Sequence, residues 1–398
     1  MAQQPVGSDT GLSDHRAARP VDTARAHATT FGAQAEQQEA AGALTEASLA
    51  PLRDANLFGL MAPAELGGLE ASPCDTLETF EEVSRAEGAV GWVLTTCAFA
   101  TGLAGAFLGD DAAAEVFRDG MPIIAGAGAP VGRARTVEGG FVLDGRWSYG
   151  SGIRHATHTH NGALILDPDG EVRSDLGPHI FVTPIEAATL DDQWDVLGLR
   201  GTGSVDYAIE DCFLPDGFGH QTRGAVQRRG GATYTIGTAG MSTIAHTGFF
   251  LGIGRRVLDE LADVARTKGA PGSRLTDSET FLDGYAAAEA GYRAARALVF
   301  ETWRAIEHRI ALGAAVDVGH IAAAQVAMCH LASASTDAAT FAYQAGGGTS
   351  LRQGALQRAF RDTFAGRQHA RVSGAVMRAN MRTLLLAGPS EGTSNGRA

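Results

Sequence analysis

The order of apolar and polar positions divides the chain into three textures. From about Asp22 to Asp119 apolar residues recur at helical spacing, as Leu44, Leu49, Leu52 and Leu57, then Leu77, Phe80 and Val83. Pro63-Ala-Glu-Leu-Gly-Gly68 reads as a loop between helices. After Gly120 the pattern changes to short β-like runs broken by Gly, Pro and Asp: Phe141 to Trp147, Ala163 to Leu166, His179 to Thr183 and Val205 to Leu214. These predict a small antiparallel β domain. From Tyr234 helical periodicity returns. Tyr285, Tyr292, Val299 and Ile306 repeat every seven residues, with Ala288, Ala295 and Trp303 between them, behind an N-cap offered by Asp277 and Ser278. Such a seam needs partner helices, which Ile321 to Gln344 and Ala355 to Leu386 supply; Gly346 to Gly348 stops the first. The expected organisation is α+β. A disordered N-terminus covers 1–20, an α-helical domain 21–120, a β domain 121–228, a helical bundle 229–387 and a disordered tail 388–398.

Two uncharged stretches, Gly88 to Gly109 and Thr235 to Gly254, are long enough to cross a bilayer. Both are diluted with Gly, Thr and Ser, the first is flanked by acids, and the second holds one titratable group, His246. Buried core helices are expected instead. The N-terminus lacks a signal peptide's basic start and apolar run. The four cysteines lie far apart, so neither a disulfide framework nor a zinc ribbon is indicated, and a reducing cytoplasm fits. A formal charge of −13 disfavours nucleic acid and anionic membranes as partners. A phosphate would need a local cation, and Lys268 is the only lysine among 32 basic residues.

Three groups could carry chemistry. On a continuous helix from about Leu356, Arg358, Asp362 and His369 would share one stripe and Phe360 and Phe364 another. The stripe reads either as a solvated ion-pair face or as the bed of an anionic ligand, with His369 as a tunable acid, base or donor. The loop Arg146-Trp-Ser-Tyr-Gly-Ser-Gly152 ends a strand with an aromatic ring followed by hydroxyls and glycines, which suits close approach to a flat ligand, or a plain turn. His155, His158 and His160 invite a metal reading, but alternation puts His155 on the opposite face and no acid adjoins them, so no metal is expected. Gly126 to Gly132 lacks the ending of a phosphate loop.

In order, Trp147-Ser-Tyr-Gly-Ser-Gly152, Trp194-Asp-Val-Leu-Gly-Leu-Arg-Gly-Thr-Gly-Ser204, Gln344-Ala-Gly-Gly-Gly348, Leu356-Gln-Arg-Ala-Phe-Arg-Asp362 and Gln368-His369 resemble the acyl-CoA dehydrogenase superfamily, from about Asp22 to Leu386. The resemblance implies an N-terminal α-helical domain, a central antiparallel β domain and a C-terminal four-helix bundle, assembled as a homotetramer with flavin between the last two. A dehydrogenase of this fold needs a carboxylate base. Neither Thr363 to Ala387 nor Gly217 to Leu258 contains Asp or Glu.

Gln368-His369 resembles instead the two-component flavin monooxygenases of the superfamily. That implies reduced FMN or FAD from a separate reductase, O2, a C4a-hydroperoxyflavin, and a small-molecule substrate. The substrate would be bulky and aromatic or polyketide-like, or an amino sugar oxidised at nitrogen, in secondary metabolism. By the same resemblance His369 and Ser151 serve the reactive centre, with Ser151 donating to flavin N5. Trp147 packs on the ring, and Gly152, Gly346, Gly347 and Arg358 lie near the cofactor. Arg266 and Lys268 hold its phosphate, and Phe99, Leu103, His155 and His158 line the substrate pocket. An acyl-CoA dehydrogenase with an unrecognised base and a silent scaffold are the alternatives.

Overall fold

The computed structural model describes residues 19–270 and 273–387. The expected disordered ends therefore fall almost wholly outside the described residues. Helices α1 (Pro20–Ala33), α2 (Ala35–Ala41), α3 (Glu46–Asp54), α4 (Pro73–Ala86), α5 (Gly88–Phe107) and α6 (Asp110–Val116) come first. Ser72 caps α4 by accepting from the Asp75 amide, and Glu87 caps α5 by accepting from the Val90 amide. The uncharged α5 is long and apolar enough to span a membrane, but 89% of its apolar window is buried within the protein. It packs on α4, on α7 and on the sheet.

The sheet follows: β1 (Ile124–Val137), β2 (Gly140–Trp147), β3 (His158–Leu166), β4 (His179–Pro184), β5 (Ala188–Leu190), β6 (Tyr207–Pro215) and β7 (Gly219–Gln221), in the order β5-β6-β2-β1-β3-β4-β7. It is mixed, not antiparallel as expected, because β1 and β3 run parallel. The cause is a crossover. β2 folds back on one edge of β1, and residues 148–157 then carry the chain past the end of β1 to its other edge, where β3 enters in β1's direction. The loop singled out in the sequence is this crossover.

Helices α7 (Gly237–Thr267), α8 (Glu279–Ala311), α9 (Val318–Gly346), α10 (Gly348–Leu351), α11 (Ala355–Arg367) and α12 (Gly374–Ala387) complete the chain. The seven-residue seam is real: Tyr292, Ala295, Val299, Trp303 and Ile306 are buried, and Ser278 caps α8 through the Phe281 amide. The expected single helix from Ala355 to Leu386 is broken. His369 is extended, at φ −64° and ψ 132°, and its ring accepts from the Arg371 amide, starting a one-turn 3-10 segment before α12. Arg358, Asp362 and His369 therefore do not share a stripe. The buried face of α11 is Leu356, Ala359, Asp362, Thr363 and Gly366, small enough for close packing on α7 and α9, while Phe360 and Phe364 are half-buried.

Candidate active site

Ser151 lies on the crossover, and three features fix it. Tyr149 is held at φ 68°, a strained conformation for a non-glycine residue, by Ser148 Oγ and the Tyr149 amide donating to Asp206. The Gly150 and Gly152 amides donate to the Val205 and Thr202 carbonyls at 3.1 and 3.0 Å. Gly152 has φ 78°, and a methyl there would meet Val93 Cγ1 at 2.8 Å and Cys97 Sγ at 2.9 Å. Only glycine lets the loop reach α5.

Ser151 belongs to a hydroxyl chain whose proton directions follow from its ends. Thr202 Oγ1 donates to the Leu199 carbonyl at 2.7 Å, which commits the threonine's proton. Ser204 Oγ, 2.6 Å from Thr202 Oγ1, must then donate to it. Ser151 Oγ, 2.7 Å from Ser204 Oγ, must in turn donate to Ser204. Trp92 Nε1 donates to Ser151 Oγ at 2.9 Å. Every proton runs towards Leu199, so Ser151 offers a ligand a lone pair and no proton, the reverse of the expected donor.

Two histidines also pack against Trp92. Its ring meets His369 edge-on at 5.8 Å and His246 at 6.0 Å, and the two imidazoles stack at 4.1 Å. His246 Nδ1 donates to the Ser242 carbonyl at 2.7 Å, which leaves Nε2 a buried acceptor with no donor among the described residues. His369 Nδ1 accepts from the Arg371 amide at 3.3 Å, so its proton sits on Nε2. Burial and the Arg371 charge push the His369 pKa down to about 4. Burial, then the charge of His369, lowers His246 far below its ordinary value. Both rings are neutral at pH 7. Arg371 Nε donates to Ser242 Oγ at 3.1 Å, and among the described residues no hydrogen bond or ion pair of this group involves a carboxylate.

Residues 244–374 match the family described as acyl-CoA dehydrogenase, C-terminal domain. The chain is 32% identical over 321 residues to an indole-3-acetate monooxygenase of Pseudomonas putida, covering 79% of this chain and 80% of that protein. It is 27% identical over 377 residues to a pigment production hydroxylase of Rhodococcus erythropolis, covering 90% and 94%. XiaF from Streptomyces sp., solved with FADH2 and glycerol, shares the fold with a TM-score of 0.83 at 22% identity, covering 92% and 95%. This chain belongs to the flavin-dependent monooxygenases of the acyl-CoA dehydrogenase superfamily.

In the monooxygenase the two residues expected at the reactive centre, Ser151 and His369, both touch Trp92, Ser151 at its Nε1 and His369 edge-on at 5.8 Å. Trp147 stands apart. It is buried in the sheet, stacked on Tyr207 at 5.5 Å, with Nε1 donating to the Gly162 carbonyl, so Tyr207 covers one face of its ring. Arg358 is bound by Glu39 and Glu36 beside the buried pair Glu87 and Asp362, on a cavity between α1, α5 and α11. Asp362 accepts from the Leu199 amide at 2.6 Å, and burial and Glu87 raise its pKa strongly. Lys268 Nζ donates to Thr349 Oγ1 at 2.6 Å and approaches the Gly346 carbonyl, joining the Gly346–Gly347 turn, while Arg266 is exposed and paired with Asp263.

Phe99 faces His160 at 6.1 Å, Leu103 is buried, His155 Nε2 is a buried atom without a partner among the described residues, and His158 bonds Thr157. Sequence reasoning missed Trp92, Thr202, Ser204, His246 and Arg371. His246 did leave a signal, as the one titratable group in an uncharged stretch.

The group fits a flavin ring. A flat heterocycle with both N–H and lone-pair edges matches the Ser151 lone pair, the His369 Nε2–H and the orphaned His246 Nε2.

Proposed function

We propose that this monooxygenase takes reduced FMN or FAD from a separate reductase and inserts one oxygen atom from O2 into an aromatic small molecule. Substrate, O2 and reduced flavin give hydroxylated substrate, water and oxidised flavin. The observation that carries the reading is the convergence of Ser151, Trp92, His246 and His369 from three parts of the chain on one uncharged centre. The names of the Pseudomonas and Rhodococcus relatives, an indole-3-acetate monooxygenase and a pigment hydroxylase, support an aromatic substrate, and XiaF's FADH2 supports reduced flavin.

Bound reduced flavin supplies the electrons that activate O2. Ser151 and His369 would hold its ring, Ser151 accepting at N5 and His369 donating from Nε2. Lys268, at the Gly346–Gly347 turn, would hold its phosphate. A neutral His369 orients by donation and is not a store of protons at pH 7. Trp92, Phe249 and the imidazoles exclude water from the centre. The half-exposed stack of Tyr343, Phe360 and Phe364 supports assembly into a homotetramer.

The test supplies chemically reduced FMN or FAD, then air, with indole-3-acetate, phenylacetate and phenol in parallel. A hydroxylated product without added reductase supports the reading. Flavin oxidation at the free-flavin rate with no product from any substrate overturns it.

A further inference from the structure

We propose that Arg371, flanked by Arg223, is an anion-binding subsite of the substrate pocket, and that the substrate carries a carboxylate. Acids outnumber bases 45 to 32 in this chain, so an arginine without an acidic partner is not short of candidates. Arg371 is nonetheless unpaired. Its Nε donates to Ser242 Oγ, and its two terminal amino groups have no partner among the described residues. Arg223, exposed on the loop after β7, has no ion pair among the described residues either. Arg367, one turn earlier, donates among the described residues only to the Val372 carbonyl. Burial, then the charge of Arg223, pushes the Arg371 pKa down, and no carboxylate acts on it in return. A half-buried cation beside a second cation is stabilised by an anion, and a planar fork of N–H groups matches a carboxylate's two oxygens.

The location makes that anion part of the substrate. Ser242 lies one helical turn before His246, which stacks on His369 at 4.1 Å, and the Arg371 amide itself bonds His369. Arg371 is thus tied to the reactive stack twice, through Ser242 on the helix that carries His246 and through its own amide on His369, so its free amino groups are offered to the acid of an arylacetate whose ring lies at the centre. Flavin phosphate is separated from the isoalloxazine by the ribityl chain, and Lys268 stands at a different turn to receive it.

The inference rests on the proposed reaction for the word substrate, and its test reads binding. Dissociation constants are measured for indole-3-acetate, phenylacetate and benzoate, each against its neutral amide, by intrinsic tryptophan fluorescence. The same titrations follow reduced FMN. Wild type should prefer at least one acid over its amide. Arg371→Gln should weaken that acid roughly 10- to 100-fold and leave the amide and reduced FMN unchanged. Arg371→Lys, which keeps the charge without the fork, should lie between. Arg223→Gln should show a smaller effect that salt erases.

Equal losses for acid and amide, or no wild-type preference for any acid, would overturn the proposal. So would weakened flavin binding with the acid unaffected, which assigns the guanidinium to phosphate, or a changed assembly size with acid affinity intact, which assigns it to a subunit contact. Failure of the monooxygenase reading shows separately, as tight acid binding with no turnover on reduced flavin.

Discussion

Replacing Ser204 with alanine tests the one-way hydroxyl chain. Ser204 Oγ lies 2.7 Å from Ser151 Oγ and 2.6 Å from Thr202 Oγ1, so the variant loses two neutral hydrogen bonds worth about 1 kcal/mol each. Thr202 keeps its bond to the Leu199 carbonyl, so the loop stays anchored. The functional change is larger than the loss of stability implies, because the Ser151 proton no longer has an internal acceptor and turns towards the ligand. Oxidised flavin presents a bare lone pair at N5, whereas reduced flavin presents N5–H. Wild type, offering only a lone pair, should therefore favour reduced over oxidised flavin. Ser204→Ala should erode that preference by roughly fivefold to tenfold, the worth of one hydrogen bond of about 1 to 1.4 kcal/mol. Thr202→Val should act in the same direction, and Thr202→Ser should restore the wild-type ratio. Equilibrium titration with FMN, oxidised in air and reduced under anaerobic conditions, gives both constants. If both forms bind and the ratio is the same in all four proteins, the proton assignment is wrong.

Further outcomes follow from the same geometry. His369→Ala should uncouple the reaction, with flavin still oxidised while product falls at least tenfold and hydrogen peroxide rises; unchanged product yield would remove His369 from the mechanism. Lys268→Ala should weaken reduced FMN more than reduced riboflavin, which lacks the phosphate, and equal effects on the two would show that the lysine serves the turn alone. Burial holds His160 at about 3 and holds His220 and His369 at about 4, against about 6.5 in the unfolded chain. Between pH 6.5 and 4 the unfolded chain takes up protons that the folded one refuses. Stability should therefore fall as pH drops through that window, by roughly 3 kcal/mol for each fully buried ring. Thermal unfolding from pH 7.5 to 4.5 reads this directly, and a flat profile would contradict the buried neutral state.

Much of the fold was legible because its signals are local. The seam of α8 is a seven-residue repeat, the strands are short apolar runs between glycines, and the Ser278 cap is a one-residue signature. The mixed sheet was not legible, since parallel pairing of β1 and β3 depends on where the crossover at 148–157 goes and not on the composition of either strand. At the site, Ser151 stood out in a suggestive loop and His369 as a histidine on the expected helix. Trp92 and His246 did not, because they lie in uncharged stretches of helix where an aromatic or a lone histidine reads as core. The stripe of Arg358, Asp362 and His369 assumed an unbroken helix, and the His369 ring bond to the Arg371 amide ends that assumption. The unpaired state of Arg371 is a property of the assembled fold, invisible in a chain rich in acids.

The central claim is that this chain transfers one atom of O2 to an aromatic substrate through reduced flavin held at Ser151 and His369. The most direct measurement is single-turnover reaction of the protein and reduced FMN or FAD with 18O-labelled O2 and a candidate arylacetate, followed by mass spectrometry of the product. One labelled oxygen per hydroxylated product, lost in His369→Ala while flavin oxidation continues, is the predicted result. Unlabelled product, or peroxide alone from the wild-type protein with every substrate tried, would contradict it.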